Sequence, residues 1–165
     1  MIDPNFGDPG WLLTYVDLAD RIVAGSHPPI ADVSPVYLGL MVALRFLGAS
    51  VATIRSLQVL MLIAAAVFCA LAAKRLGGRT AAIATAALIL GNRAAWVVCT
   101  ELDPKALIFL LTSAALWSLL RGSNVAAGIL LGLAATTHPY GYVLLAIALV
   151  CRAWLQPAPP GGGGL

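Results

Sequence analysis

Residues 56–73 read SLQVLMLIAAAVFCALAA, and residues 74–79 that follow read KRLGGR. A hydrocarbon core about 30 Å thick takes about 20 apolar residues of helix. A run of this kind, closed by bases and a Gly-Gly pair, therefore reads as a helix that crosses a bilayer and turns on its far side. Four more stretches approach the same length. One runs from Thr80 to Cys99 and is interrupted late by Asn92-Arg93. Another runs from Pro104 to Leu120. The last two, Ser123 to Thr137 and Tyr140 to Leu155, flank His138-Pro139-Tyr140-Gly141, where a Pro and a Gly after two threonines read as a hairpin. The expected fold is all-α: a polytopic membrane helical bundle of about five transmembrane helices, with two short interfacial helices in an outer loop.

Composition agrees. Of the 165 residues, 61% are hydrophobic and 10% charged, against roughly a quarter charged in soluble domains. A soluble fold this small needs more polar surface than that, and a mean hydropathy of +0.93 excludes disorder. The net charge of +3 is spread without a basic cluster, which argues against nucleic acid as a partner. Cys69, Cys99 and Cys151 are odd in number and sit in apolar runs, so a disulfide framework is not expected. Eight Arg against two Lys, with abundant Ala and Gly, points to a GC-rich bacterial source.

The first 50 residues do not span. Trp11, Leu12, Tyr15, Leu18, Ala19 and Ile22 recur at helical spacing over Trp11 to Ala24, with Asp17, Asp20 and Arg21 on other faces, as in a helix lying at the membrane interface. Gly25-Ser26-His27-Pro28-Pro29 breaks it, and Pro35 to Leu47 forms a second short helix that Gly48 ends. The organisation is thus an outer loop over residues 1–50, a transmembrane bundle over 51–155, and a low-complexity tail over 156–165. Lys74, Arg75, Arg79, Arg121 and Arg152 mark cytoplasmic ends by the positive-inside rule. All seven acids (Asp3, Asp8, Asp17, Asp20, Asp32, Glu101 and Asp103) then fall outside, in a multi-pass protein of the inner membrane. No signal peptide is visible, and a chain that starts in an outer loop without a span to deliver it there is expected to be a fragment.

Several short motifs come in a definite order. They are Tyr15-x-x-x-Ala19, Gly25, Pro35-x-Tyr37, Phe46-Leu-Gly48, Arg55-Ser-Leu-Gln58 and the basic turn Lys74-Arg-Leu-Gly-Gly-Arg79. Thr100-Glu-Leu-Asp-Pro104 and Gly128-Ile-Leu-Leu-Gly-Leu-Ala-Ala-Thr-Thr-His-Pro139 follow. Together they resemble the amino-terminal half of the GT-C glycosyltransferases, above all family 39, which includes the protein O-mannosyltransferases and lipid A aminoarabinose transferases. In that family an outer loop carries an acidic motif and two juxtamembrane helices, a Pro-aromatic helix ends in Gly, and an Arg opens the next span. The Thr100–Pro104 segment is similar to the family's acidic "LDP" motif, and residues 128–139 to its "GLLxGLAxLTRP" segment. Two positions depart from the pattern. Trp11 stands four before Tyr15, where the family has its acid, so the nearest candidate is Asp8; and Ser34-Pro35 replaces a Lys-Pro.

The resemblance implies transfer of a sugar from a polyprenyl-phosphate donor to an acceptor hydroxyl at the outer face, with inversion. Asp8 would be the general base, Arg93 and Arg55 would offset phosphate charge, and Glu101, Asp103 and His138 would line the mouth. Each residue also has a plainer reading. Asp8 is a turn residue in Gly7-Asp8-Pro9-Gly10. Asp103 is an N-cap before Pro104 at the first helical position, which leaves Glu101 unexplained. Arg93 lies about two turns inside a span, where a lone cation costs a few kcal/mol; snorkelling or pairing with Glu101 would answer that cost. Arg55 and Lys105 fit headgroup anchoring. Asp103 and Glu101 could hold a divalent cation at the mouth, but no metal-ligand spacing is present, and His27 and His138 stand in separate turns. Gly128-x-x-x-Gly132 reads as packing and the tryptophans as an interfacial belt. Two rivals stand beside the transferase: a transporter or lipid-handling protein using Arg93 as a pathway residue, and a non-enzymatic membrane scaffold. The family's remaining spans are missing here, so the chain alone is expected to be inactive.

Overall fold

A computed structural model describes residues 10–27, 33–100, 102 and 104–155. Among these the chain is all-helical, with no strand. The helices are α1 (Gly10–Val23), α2 (Pro35–Phe46), α3 (Val51–Gly91), α4 (Arg93–Thr100), α5 (Lys105–Leu120), α6 (Asn124–Thr137) and α7 (Pro139–Leu155).

Local chemistry explains the boundaries. Ser34 caps α2, its hydroxyl accepting from the Tyr37 amide, and Pro35 takes the first helical position, where its missing N–H costs nothing. Ser50 caps α3 in the same way through the Thr53 amide. Hydrogen bonds from Ser26 N to Arg21 O and from Ser123 N to Ser118 O close the ends of α1 and α5. Pro104 stands at the cap of α5 and the helix proper begins at Lys105, one residue later than the sequence predicts.

Inside α3, Gly77 and Gly78 leave helical geometry, Gly78 at φ 77° and ψ −167°, a region essentially confined to glycine. They divide the helix into a first limb, residues 51–76, and a return limb, residues 79–91. Ile89 of the return limb packs against the cluster of Leu62 and Ala106. In a straight helix Ile89 and Leu62 would lie about 40 Å apart. The Gly-Gly turn is therefore a hairpin, as its composition predicts.

Three ties set the register of the first limb against α5. Leu62 shares a cluster with Ala106, the Cys69 thiol donates to Ser113 Oγ at a separation of 44 residues, and Gln58 reaches the Leu102 carbonyl through Tyr37. The other two pairs have the same separation, so the two helices run parallel and in step. The return limb and α4 carry the chain back between them. Val16 and Ala19 of α1, Tyr37 and Met41 of α2, Ile54 and Met61 of α3, Leu107 and Leu111 of α5, and Ala134 of α6 then share one core with Leu102.

Two expectations change. Among the described residues one helix, Val51–Gly91, is long and apolar enough to cross a membrane, rather than about five. Its first limb alone is about 39 Å long, whereas α5, α6 and α7, at 16, 14 and 17 residues, reach about 24, 21 and 26 Å against a hydrocarbon core of about 30 Å. Turns at Arg121-Gly122 and at His138 cut them short, and the break at Asn92 separates the return limb from α4. The second change concerns α1. Its apolar stripe, read as facing the membrane interface, turns inward instead: Ala19 is fully buried, Val16 nearly so, and Tyr15, Leu18 and Ile22 are half-buried.

Candidate functional site

The end of the bundle where α1, α2 and the starts of α3 and α5 meet holds a buried polar tie. Tyr37 and Gln58 are 0% and 1% exposed. The Gln58 amide donates to the Tyr37 hydroxyl, and that hydroxyl donates to the Leu102 carbonyl, both at 2.7 Å. Tyr15 stacks edge-on against Tyr37, with ring centroids 4.8 Å apart, and its own hydroxyl accepts from the Ser34 amide. The great majority of buried polar groups in folded proteins are partnered. This chain therefore fixes the α4–α5 connection to α2 and α3 at one carbonyl. Leu102 itself is 2% exposed and adopts φ 52°, a left-handed conformation unusual for a residue with a branched side chain.

Ion pairs tie α1 to its neighbour and to itself. Arg45 of α2 grips both carboxylate oxygens of Asp20, at 2.5 and 3.0 Å, while its third nitrogen donates to the Ala49 carbonyl. The hydrogen bond to Asp20 raises the pKa of Arg45 above the ordinary arginine value, and burial works against it. A raised basic pKa supplies stability at every pH below the unfolded arginine range and loses it only as pH climbs through the folded value. The pair is therefore insensitive to pH on its arginine side under ordinary conditions. Arg21 pairs with Asp17 one turn away on the exposed face.

The predicted site residues are only partly gathered. Asp8, Glu101 and Asp103 lie outside the described residues, although Leu102 stands between the last two in the chain. Arg55 is exposed on the first turns of α3, near this end. His138 ends α6 in an extended conformation. Its Nδ1 accepts from the Tyr140 amide and its ring lies 4.7 Å from the Tyr140 ring. There the chain doubles back so tightly that a Cβ on Gly141 would fall on the Ala134 carbonyl. The predicted hairpin is thus a backbone-to-backbone corner.

Arg93 lies about 6 Å further along the bundle than the level of Gln58 and Leu102. Ile89 and Ala95 on either side of it pack at the level of Leu62 and Ala106, which puts Arg93 about 16 Å along the bundle from the start of α3. It is exposed and makes no ion pair among the described residues. The helix break beside it is built from side chains. Asn92 Oδ1 accepts from the Ala94 amide, and the Trp96 indole donates at 2.5 Å to the Leu90 carbonyl that the break leaves open.

At the opposite end, Lys74, Arg75 and Arg79 flank the Gly-Gly turn and Arg121 ends α5, all exposed. Among the described residues no group of three or more His, Cys, Asp or Glu is placed to hold a metal ion.

Tyr37 and Gln58 stand inside two of the ordered motifs, which assign neither a role. A signal was present: Gln58 is the one amide in the apolar run 56–73, and a polar group forced into such a helix must find a partner. The chain matches no protein-family pattern, no curated protein sequence and no solved structure.

Proposed function

We propose that these helices belong to an integral inner-membrane glycosyltransferase of GT-C type, which moves a sugar from a polyprenyl-phosphate donor to an acceptor hydroxyl outside the cytoplasm. The observation that carries the reading is the tethered carbonyl of Leu102. Two buried polar side chains and a left-handed backbone hold this one residue, and Glu101 and Asp103 each lie a single peptide away from it. Strain and buried polarity concentrated on a connection support a working part better than a passive link. In this reading Asp8 takes the proton from the acceptor, Glu101, Asp103 and His138 orient it, and Arg55 and Arg93 balance the carrier phosphate.

The test is transfer of labelled sugar from a polyprenyl-phosphate donor in membranes expressing the full coding frame. The expected result is transfer that falls at least about a hundred-fold in Asp8→Asn. Transfer at the original rate in Asp8→Asn removes the assigned base. Absence of transfer from every polyprenyl-phosphate sugar removes the activity.

One observation favours the runner-up, a transporter or lipid-handling protein. A side-chain-stabilised break at Asn92, beside an exposed Arg93 that makes no ion pair among the described residues, is the kind of irregular helix that membrane proteins keep where it faces a polar path. Uptake or lipid flipping in reconstituted vesicles that disappears in Arg93→Gln, with sugar transfer absent, would decide for it.

A further inference from the structure

We infer that the basic end of the bundle binds the headgroups of anionic phospholipids, an inference that rests on the membrane reading above. In the sequence, Lys74, Arg75 and Arg79 are separated from Arg121 by more than 40 residues. The fold removes that distance. The first limb of α3 and α5 run parallel with a constant separation of 44 residues, and the same step carries Gly77 to Arg121. The Gly77-Gly78 and Arg121-Gly122 turns therefore lie level, and four cations from two connections face one side.

Among the described residues no carboxylate pairs with any of the four. The sequence holds no acid between Asp32 and Glu101 and none after Asp103, while the described acids Asp17 and Asp20 belong to α1 at the other end. The surroundings select the ligand. Leu76 at 74% and Val125 at 78% stand exposed beside the bases. The Arg121 guanidinium lies 5.8 Å from the centroid of the Trp117 ring, a pairing suited to the boundary between headgroups and acyl chains. A soluble anion would gain nothing from those apolar flanks, whereas a phosphodiester with acyl chains meets both. Length agrees as well: a first limb about 39 Å long overreaches a hydrocarbon core of about 30 Å, which leaves Lys74 and Arg75 in the headgroup layer.

The experiment uses the full chain in phosphatidylcholine vesicles, with spin-labelled phosphatidylglycerol or spin-labelled phosphatidylcholine as the probe. The motionally restricted fraction of each is read by electron spin resonance. A single base near the surface is worth about a five-fold preference, so at low salt phosphatidylglycerol should associate at least about five times more strongly than phosphatidylcholine. Raising the salt should shrink that ratio in the unaltered chain, and Lys74→Gln/Arg75→Gln/Arg79→Gln/Arg121→Gln should bring it close to one. Equal restriction of both lipids by the parent chain overturns this inference alone. So does a preference that survives both salt and the quadruple substitution. No restricted fraction with either lipid overturns it together with the membrane reading.

Discussion

The two ends of the bundle are held by different means. Where α1, α2 and the α4–α5 connection converge, side chains do the fastening: Gln58 to Tyr37, Tyr37 to Leu102, and Arg45 to Asp20. At the other end the backbone shapes the turns, through glycines at φ 77° and 80°, and the charged side chains make no ion pair among the described residues. Fastening by buried hydrogen bonds fixes orientation and tolerates little change. Turns made by glycine leave their side chains available to whatever lies outside. The first end is organised to position groups, and the second to meet a surface.

Substitutions can break or sharpen this contrast. The largest loss belongs to Gly141→Ala, because the new Cβ meets the Ala134 backbone rather than a movable side chain. It should cost about 3 kcal/mol in unfolding followed by circular dichroism in detergent. Tyr37→Phe comes next, at about 2 kcal/mol, since it strips a buried carbonyl and a buried amide of the same partner. Adding Gln58→Leu to it should recover part of that loss, because the amide that lost its acceptor is then gone. Strictly additive losses in this double-mutant cycle would mean the tie is not a unit. Gly78→Ala should cost about 1 to 2 kcal/mol through backbone strain alone, with the Tyr37 region unchanged in its amide exchange. Lys74→Gln and Arg79→Gln, on exposed side chains, should stay within about 0.5 kcal/mol of the parent. A larger loss there would show that the basic end, too, is fastened from within.

Much of this architecture is legible from residue chemistry. The Gly77-Gly78 turn, the break at Asn92, the hairpin at His138-Pro139 and both short helices near the amino terminus stand within a residue or two of where capping and breaking residues put them. These are local events, decided by single residues. What is not legible depends on neighbours distant in the chain. The stripe on α1 has the composition of a membrane-facing surface, and only the presence of Tyr37 and Ile54 in the same cluster shows that it faces protein. The number of crossings is misread for a related reason: apolar composition marks α5, α6 and α7, but their capped lengths decide whether they span. The site is the least legible part. Arg93 and Arg55 are named from the sequence, yet the residues that hold the connection beside Glu101 and Asp103 are Tyr37 and Gln58, whose partners lie 65 and 21 residues away.

The constant separation of 44 residues along α3 and α5 also imposes an order in time. Tyr37 is synthesised before Gln58, so its hydroxyl is on hand when that amide must leave water. The Leu102 carbonyl is made 44 residues after Gln58. At about 5–20 residues per second, the pair waits about two to nine seconds for it. Until then the parallel packing has no second helix to close on, and the hairpin of α3 stands alone. The connection between α4 and α5 is the last piece of this polar tie to be locked, and a force measurement on the nascent chain should register the step as Leu102 becomes available.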